Sequence, residues 1–115
     1  MADGRIGFDV ECDRPGIEQA VRLLYHPDEA RHLTPQAALE RWVATEAALK
    51  AFGASVREAA AVEIHEGAAS YRGEPLHRMD VEVFAGAAAC VMTSQRWSGI
   101  EFREVALADL FQRGA

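Results

Sequence analysis

Thr34-Pro35-Gln36-Ala37-Ala38-Leu39-Glu40-Arg41-Trp42-Val43-Ala44-Thr45-Glu46-Ala47-Ala48-Leu49-Lys50-Ala51-Phe52-Gly53 is the stretch whose reading decides the fold. A threonine can cap the first free N–H groups of a helix, proline fits the first helical position because its missing N–H would have had no partner, and glycine suits the left-handed residue that closes a helix. The spacing predicts a helix over 35–52. On a wheel counted from Leu39 at 100° per residue, Val43 falls at about 40°, Leu49 at about 280° and Trp42 at about 300°, an apolar stripe. Glu46 lands inside that stripe at about 340°, and Lys50 at about 20°. A charge on an inward face is costly unless it is paired, hydrogen-bonded or bound to a metal. Either Glu46 and Lys50 staple the helix as an i,i+4 pair, or the helix carries a site.

Upstream, residues 5–12 alternate, with Ile6, Phe8, Val10 and Cys12 on one face and Gly7, Asp9 and Glu11 on the other, the period of a half-buried strand. Asp13-Arg14-Pro15-Gly16 reads as a turn, followed by a short amphipathic helix through Ile17, Ala20, Val21, Leu23 and Leu24 that stops at His26-Pro27. Beyond Gly53, strands are expected at 61–65, 68–71, 79–84, 87–93 and 100–105, with Gly67, Arg72-Gly73-Glu74-Pro75, Gly86 and Ser98-Gly99 as punctuation. The alanine-rich run 85–90 is also compatible with a helix, and 107–111 reads as a final helical turn. The expected fold class is α+β: one domain over 1–115, an antiparallel sheet packed against one long helix and shorter helices.

A chain of 115 residues, half of them hydrophobic, has apolar material for one core and no room for two. Its net charge of -6 argues against nucleic acid or an anionic membrane surface as a partner, since both select clustered Lys and Arg. Cys12 and Cys90 form neither a C-x-x-C pattern nor a disulfide framework, which suits a reducing cytoplasm. No run approaches the length of a membrane span, and the start lacks the charge-then-apolar order of a secretory signal.

Asp9 and Glu11, two apart on a strand, project from one face, so their carboxylates can converge on a hard cation such as Mg²⁺; the plainer reading is the solvated face of a half-exposed strand. A strand with two carboxylates, followed by a helix with a third on its inward face, would encode a three-carboxylate magnesium site. Lys50, one turn beyond Glu46, would then stand beside the metal as a point charge for phosphate. A diphosphate-bearing substrate is the simplest partner for that set.

Ile6-Gly7-Phe8-Asp9-Val10-Glu11 resembles the I-G-[IV]-D-[IV]-E motif of the 4′-phosphopantetheinyl transferases, and Arg14-Pro15 matches the arginine-proline that often trails it. Trp42-Val43-Ala44-Thr45-Glu46-Ala47-Ala48-Leu49-Lys50-Ala51-Phe52-Gly53 is similar to the second motif, W-x-x-K-E-A-x-x-K-x-x-G, with Thr45 in place of its first lysine. Leu24-Tyr25-His26-Pro27-Asp28-Glu29 resembles the F-[FY]-x-x-x-E segment between them. Residues 89–110 resemble the closing strands of Sfp-like enzymes, so the chain looks like the C-terminal half of one. Its size is that of the short holo-acyl-carrier-protein synthases, which assemble as trimers with sites between subunits; their G-K-P is only partly echoed by Gly73-Glu74-Pro75, and no Ser-His occurs.

The resemblance implies Mg²⁺-dependent transfer of the phosphopantetheine arm of coenzyme A to a serine of an acyl or peptidyl carrier protein. It implies Asp9, Glu11 and Glu46 as metal ligands, Glu46 as the group that helps activate the serine hydroxyl, Lys50 as a phosphate contact, and self-association as a dimer or trimer. The alternative is a non-catalytic relic that binds coenzyme A or a carrier protein; a separate chain supplying the missing half is a third arrangement.

His26, His32, His65 and His77 have no mutual ligand spacing and read as ordinary surface or capping residues. Trp42 reads as core packing and Trp97 as a loop or subunit contact. Arg72, Arg78 and Arg96 read as solvated charges, with a contact to the adenosine phosphate of coenzyme A across an interface as the sharper alternative.

Overall fold

Thr34 caps the long helix as expected: its hydroxyl accepts from the Ala37 N–H, and α1 runs Pro35–Ala51. Phe52 ends it, and Gly53, at φ +64°, takes the left-handed conformation that lets Gly53 and Ala54 return their N–H groups to the carbonyls of Lys50 and Leu49. This computed structural model describes residues 4–12, 16, 19, 21, 33–84 and 86–94. Of the expected short helix, Gln19 and Val21 are helical, and Val21 is wholly buried in the core. The remainder of that helix, residues 13–15 of the turn before it, the 24–29 segment, the strand at 100–105, the turn at 107–111, and Arg96, Trp97, His26 and His32 lie outside the described residues.

The described residues form an α+β fold, a five-stranded antiparallel sheet of order β1-β5-β4-β3-β2 with α1 packed on one face. Its strands are β1 (Ile6–Cys12), β2 (Val62–His65), β3 (Ala68–Tyr71), β4 (Glu74–Val81) and β5 (Ala87–Thr93), and a 3-10 helix over Val56–Ala61 leads into β2. Among the described residues no helix is long and apolar enough to cross a membrane.

One strand expectation needs correction, and the strand expected at 87–93 is borne out. β4 begins at Glu74 and ends at Val81, where the hydrophobic pattern pointed to 79–84. Pro75 is tolerated because β5 pairs with β4 only from His77 onward, so the proline sits where one side of the strand carries no ladder. Arg72 and Gly73, both at positive φ, form the two-residue hairpin turn that starts β4 so early. The alanine-rich run is strand: β5 is buried along its whole length, flanked by β1 and β4, and small side chains fit a central strand covered on both faces.

The two faces of β1 separate as the alternation predicts, but the helix covers the one that carries the carboxylates. Gly7, Asp9 and Glu11 lie on the face that α1 covers, while Phe8 and Val10 join Ala89, Val91, Met79 and Val81 in a second apolar cluster on the opposite face. Asp9 is therefore a buried residue at a helix–sheet seam and not part of a solvated face. The seam is close because of Gly7: a Cβ placed there would stand 2.0 Å from the Ala47 carbonyl oxygen and 2.5 Å from the Ala51 nitrogen. Only glycine permits that approach.

Burial around α1 differs from the wheel for the same reason. Ala44, Ala47, Ala48 and Ala51 are buried together with Leu39, Val43 and Leu49, so the helix is enclosed on most sides. Alanine is what a helix must present to a sheet this near. Glu46 is half-buried and Lys50 lies toward solvent, on the flank of the packed surface and not at its centre.

Candidate functional site

β1 and α1 meet along the seam at Gly7, which brings the strand motif and the helix motif together. Lys50 Nζ lies 2.6 Å from Asp9 Oδ1, a charge-assisted hydrogen bond across 41 residues of chain. The pair is lopsided: the Asp9 side chain is 2% exposed and that of Lys50 37%. Asp9 is held from two directions, by pairing of β1 with β5 along its length and by the pressure of α1 on Gly7. Lys50, on the last turn of the helix, has a long flexible stem and one end in water.

Glu46 precedes Lys50 by one helical turn and is half-buried; Glu11, two residues beyond Asp9 on the same side of β1, is half-buried as well. Asp9 and Lys50 are in contact, with Glu11 two residues further along β1 and Glu46 one turn earlier on α1. Among the described residues no three His, Cys, Asp or Glu side chains converge closely enough to hold a metal ion as they stand. Carboxylate oxygens are the donors a hard cation takes, and Lys50 supplies a positive charge at Asp9.

Thr45 is fully buried, and its hydroxyl donates to the Arg41 carbonyl at 2.8 Å, an i−4 bond that satisfies it within the helix. Trp42 packs half-buried against the main core, as expected. Arg78 is not the solvated charge anticipated: it is half-buried, makes two hydrogen bonds to Asp80 at 3.0 and 3.2 Å, and donates to the His65 carbonyl at 3.0 Å. With Leu33, Ala37, Glu40 and Arg41 these residues border a cleft of about 280 Å³ that lies away from the seam. Arg72 pairs with Glu58 at 2.6 Å beside the Tyr71 ring, with Tyr71 donating its hydroxyl to the same carboxylate.

Cys90 faces Asp9 on β1 and Asp80 on β4. Burial, reinforced by the Asp80 charge, pushes its thiol up to about 12. It is an inert core residue.

Gly7 has a role that its strand motif does not announce, the close approach of α1 to β1. A glycine within an apolar strand, together with alanines at 44, 47, 48 and 51 on the following helix, is the signal that two backbones come close. Comparisons with protein-family models, with curated proteins and with solved structures return no match.

Proposed function

We propose that this chain is a phosphopantetheinyl-transferase-like domain that moves the phosphopantetheine arm of coenzyme A onto a serine of a carrier protein. The observation that carries this reading is the Asp9–Lys50 contact, which joins the two segments whose sequences resemble the motifs of that family. A divalent cation bound here would neutralise charge developing on the departing 3′,5′-ADP. Asp9 and Glu11 on β1 and Glu46 on α1 offer the oxygens to hold it. Glu46, half-buried but not sealed, accepts the proton of the serine hydroxyl, directly or through a water. Lys50 contacts phosphate from the solvent side of the seam. Self-association as a dimer or trimer goes with this reading.

A second reading, a non-catalytic module that binds coenzyme A or a carrier protein, is favoured by Thr45. Where the resembled motif has a lysine, this chain has a buried hydroxyl bonded to its own helix.

Mass spectrometry of apo acyl- and peptidyl-carrier proteins incubated with the protein, coenzyme A and Mg²⁺ tests the first reading. The expected result is a mass gain of one phosphopantetheine that disappears with EDTA. No gain across the panel, with folded protein and measurable coenzyme A binding, moves the assignment to the binding module.

A further inference from the structure

We propose that Phe52 is a positioning residue for Lys50: its ring, held between Arg5 and Tyr71, fixes the last turn of α1 so that the ammonium stays on Asp9. That this is also the place from which Lys50 meets phosphate rests on the reading above and deepens it. Lys50 lies in the final turn of α1, and helix ends fray unless something outside the helix holds them. A lysine there reaches a carboxylate on another element only as reliably as its turn is anchored. Phe52, two residues on, closes the helix and supplies the anchor.

The anchor has two sides. On one, the Arg5 guanidinium stands 4.4 Å from the centre of the Phe52 ring, a distance at which a cation is drawn to an aromatic face. Arg5 is itself pinned to the sheet: its N–H donates to Ser94 Oγ at 2.8 Å, and its carbonyl accepts from the Ser94 N–H at 3.0 Å. On the other side, the Tyr71 ring lies 4.8 Å away, tilted by 36°. Tyr71 is buried on β3, and its hydroxyl donates to Glu58 on the 3-10 helix that leads into β2. Arg5 stands just before β1, four residues ahead of Asp9, and Phe52 follows Lys50 by two, so the Arg5–Phe52 and Asp9–Lys50 contacts tie the end of α1 to one stretch of chain. Gly7, between Arg5 and Asp9, lies against the backbone of Ala47 and Ala51. Of the residues in these contacts, Phe52 is the one that also joins the helix end to β3.

Lys50 is the only lysine of the chain, so its side-chain ammonium gives a single NMR signal that needs no assignment. The test records that signal in wild type, Phe52→Leu and Phe52→Tyr, well below each melting temperature, alongside coenzyme A binding by calorimetry. Expected are a slowly exchanging ammonium in wild type and Phe52→Tyr, its loss to fast exchange in Phe52→Leu, and a several-fold fall in coenzyme A affinity in Phe52→Leu alone. A folded Phe52→Leu with the wild-type signal overturns the positioning role, because a merely structural ring would lower the melting temperature and leave Lys50 in place. Loss of the signal with coenzyme A affinity unchanged overturns the extension to phosphate and supports the positioning of Lys50. No coenzyme A binding by wild type overturns the functional reading, and the ammonium signal then decides the positioning by itself. Should Phe52→Leu fail to fold, Arg5→Gln removes the guanidinium from one side of the ring and keeps the backbone bonds to Ser94, and an unchanged signal in that variant overturns the proposal.

Discussion

Lys50 and Asp9 form an ion pair at 2.6 Å in which one partner is almost wholly enclosed and the other is more than a third in water. The two halves of the pair are therefore unequal in what their loss does. Removing the ammonium in Lys50→Met takes the neutralising charge from an enclosed carboxylate and is expected to cost about 3 kcal/mol. Removing the carboxylate charge in Asp9→Asn leaves an ammonium that can hydrate, at about 1 kcal/mol. Urea denaturation of both variants measures this, and a larger loss in Asp9→Asn would show that the burial argument is wrong.

Gly7→Ala should be among the most damaging single-methyl changes in the chain. The added Cβ would meet backbone atoms of Ala47 and Ala51, which cannot rotate aside, so α1 must lift from β1. A loss of about 3 kcal/mol is expected, together with loss of the Lys50–Asp9 contact. Wild-type stability in this variant would mean the seam is looser than its geometry indicates.

Glu46→Gln separates the two meanings of the half-buried carboxylate on α1. A role in magnesium-dependent transfer predicts loss of activity with an unchanged or slightly raised melting temperature, since that role has three like-charged carboxylates drawn to one cation and the substitution removes one of the charges. A purely structural role predicts the reverse: a lowered melting temperature that magnesium does not alter.

Thiol chemistry should distinguish the two cysteines. Cys12 is exposed at the end of β1, whereas Cys90 is enclosed and its thiol is pushed up to about 12 by burial and by Asp80. A disulfide reagent at mildly alkaline pH should modify one cysteine in the folded protein and the second only on unfolding. Rapid modification of both would contradict the packing of β5.

The Glu58–Tyr71–Arg72 cluster gives a pH signature at both ends of the scale. Tyr71's hydrogen bond holds the Glu58 carboxyl below its ordinary range, with Arg72 contributing, and that same bond raises the Tyr71 phenol. The Glu58 contribution is present above the ordinary carboxylate range and is lost as pH falls through the lowered value; the Tyr71 contribution is present below the ordinary phenol range and is lost as pH rises through the raised one. Tyr71→Phe should flatten the dependence of melting temperature on pH at both extremes, and identical profiles for variant and wild type would refute the coupling.

The elements themselves were legible along the chain. Thr34-Pro35 and Gly53 mark the ends of α1 because capping depends on the few residues at each terminus, and the alternation of 5–12 marks β1 because side chains on a strand repeat every second residue. The strand at 79–84 was displaced because the hydrophobic pattern passes over Pro75, and a proline is harmless on the unpaired side of β4, a fact of sheet order and not of local sequence.

By itself the sequence determined which carboxylates and which lysine stand one turn or two residues apart, since those spacings follow from the 3.6-residue and 2-residue periods. Only the tertiary structure decided which face of β1 the helix covers. A strand with Phe8 and Val10 on one side and Gly7 on the other looks as though its apolar side must be the core, yet a helix settles where it can come closest, and Gly7 opposite Ala47 and Ala51 allows the nearer approach. That choice encloses Asp9 and turns Lys50 into its partner across the seam.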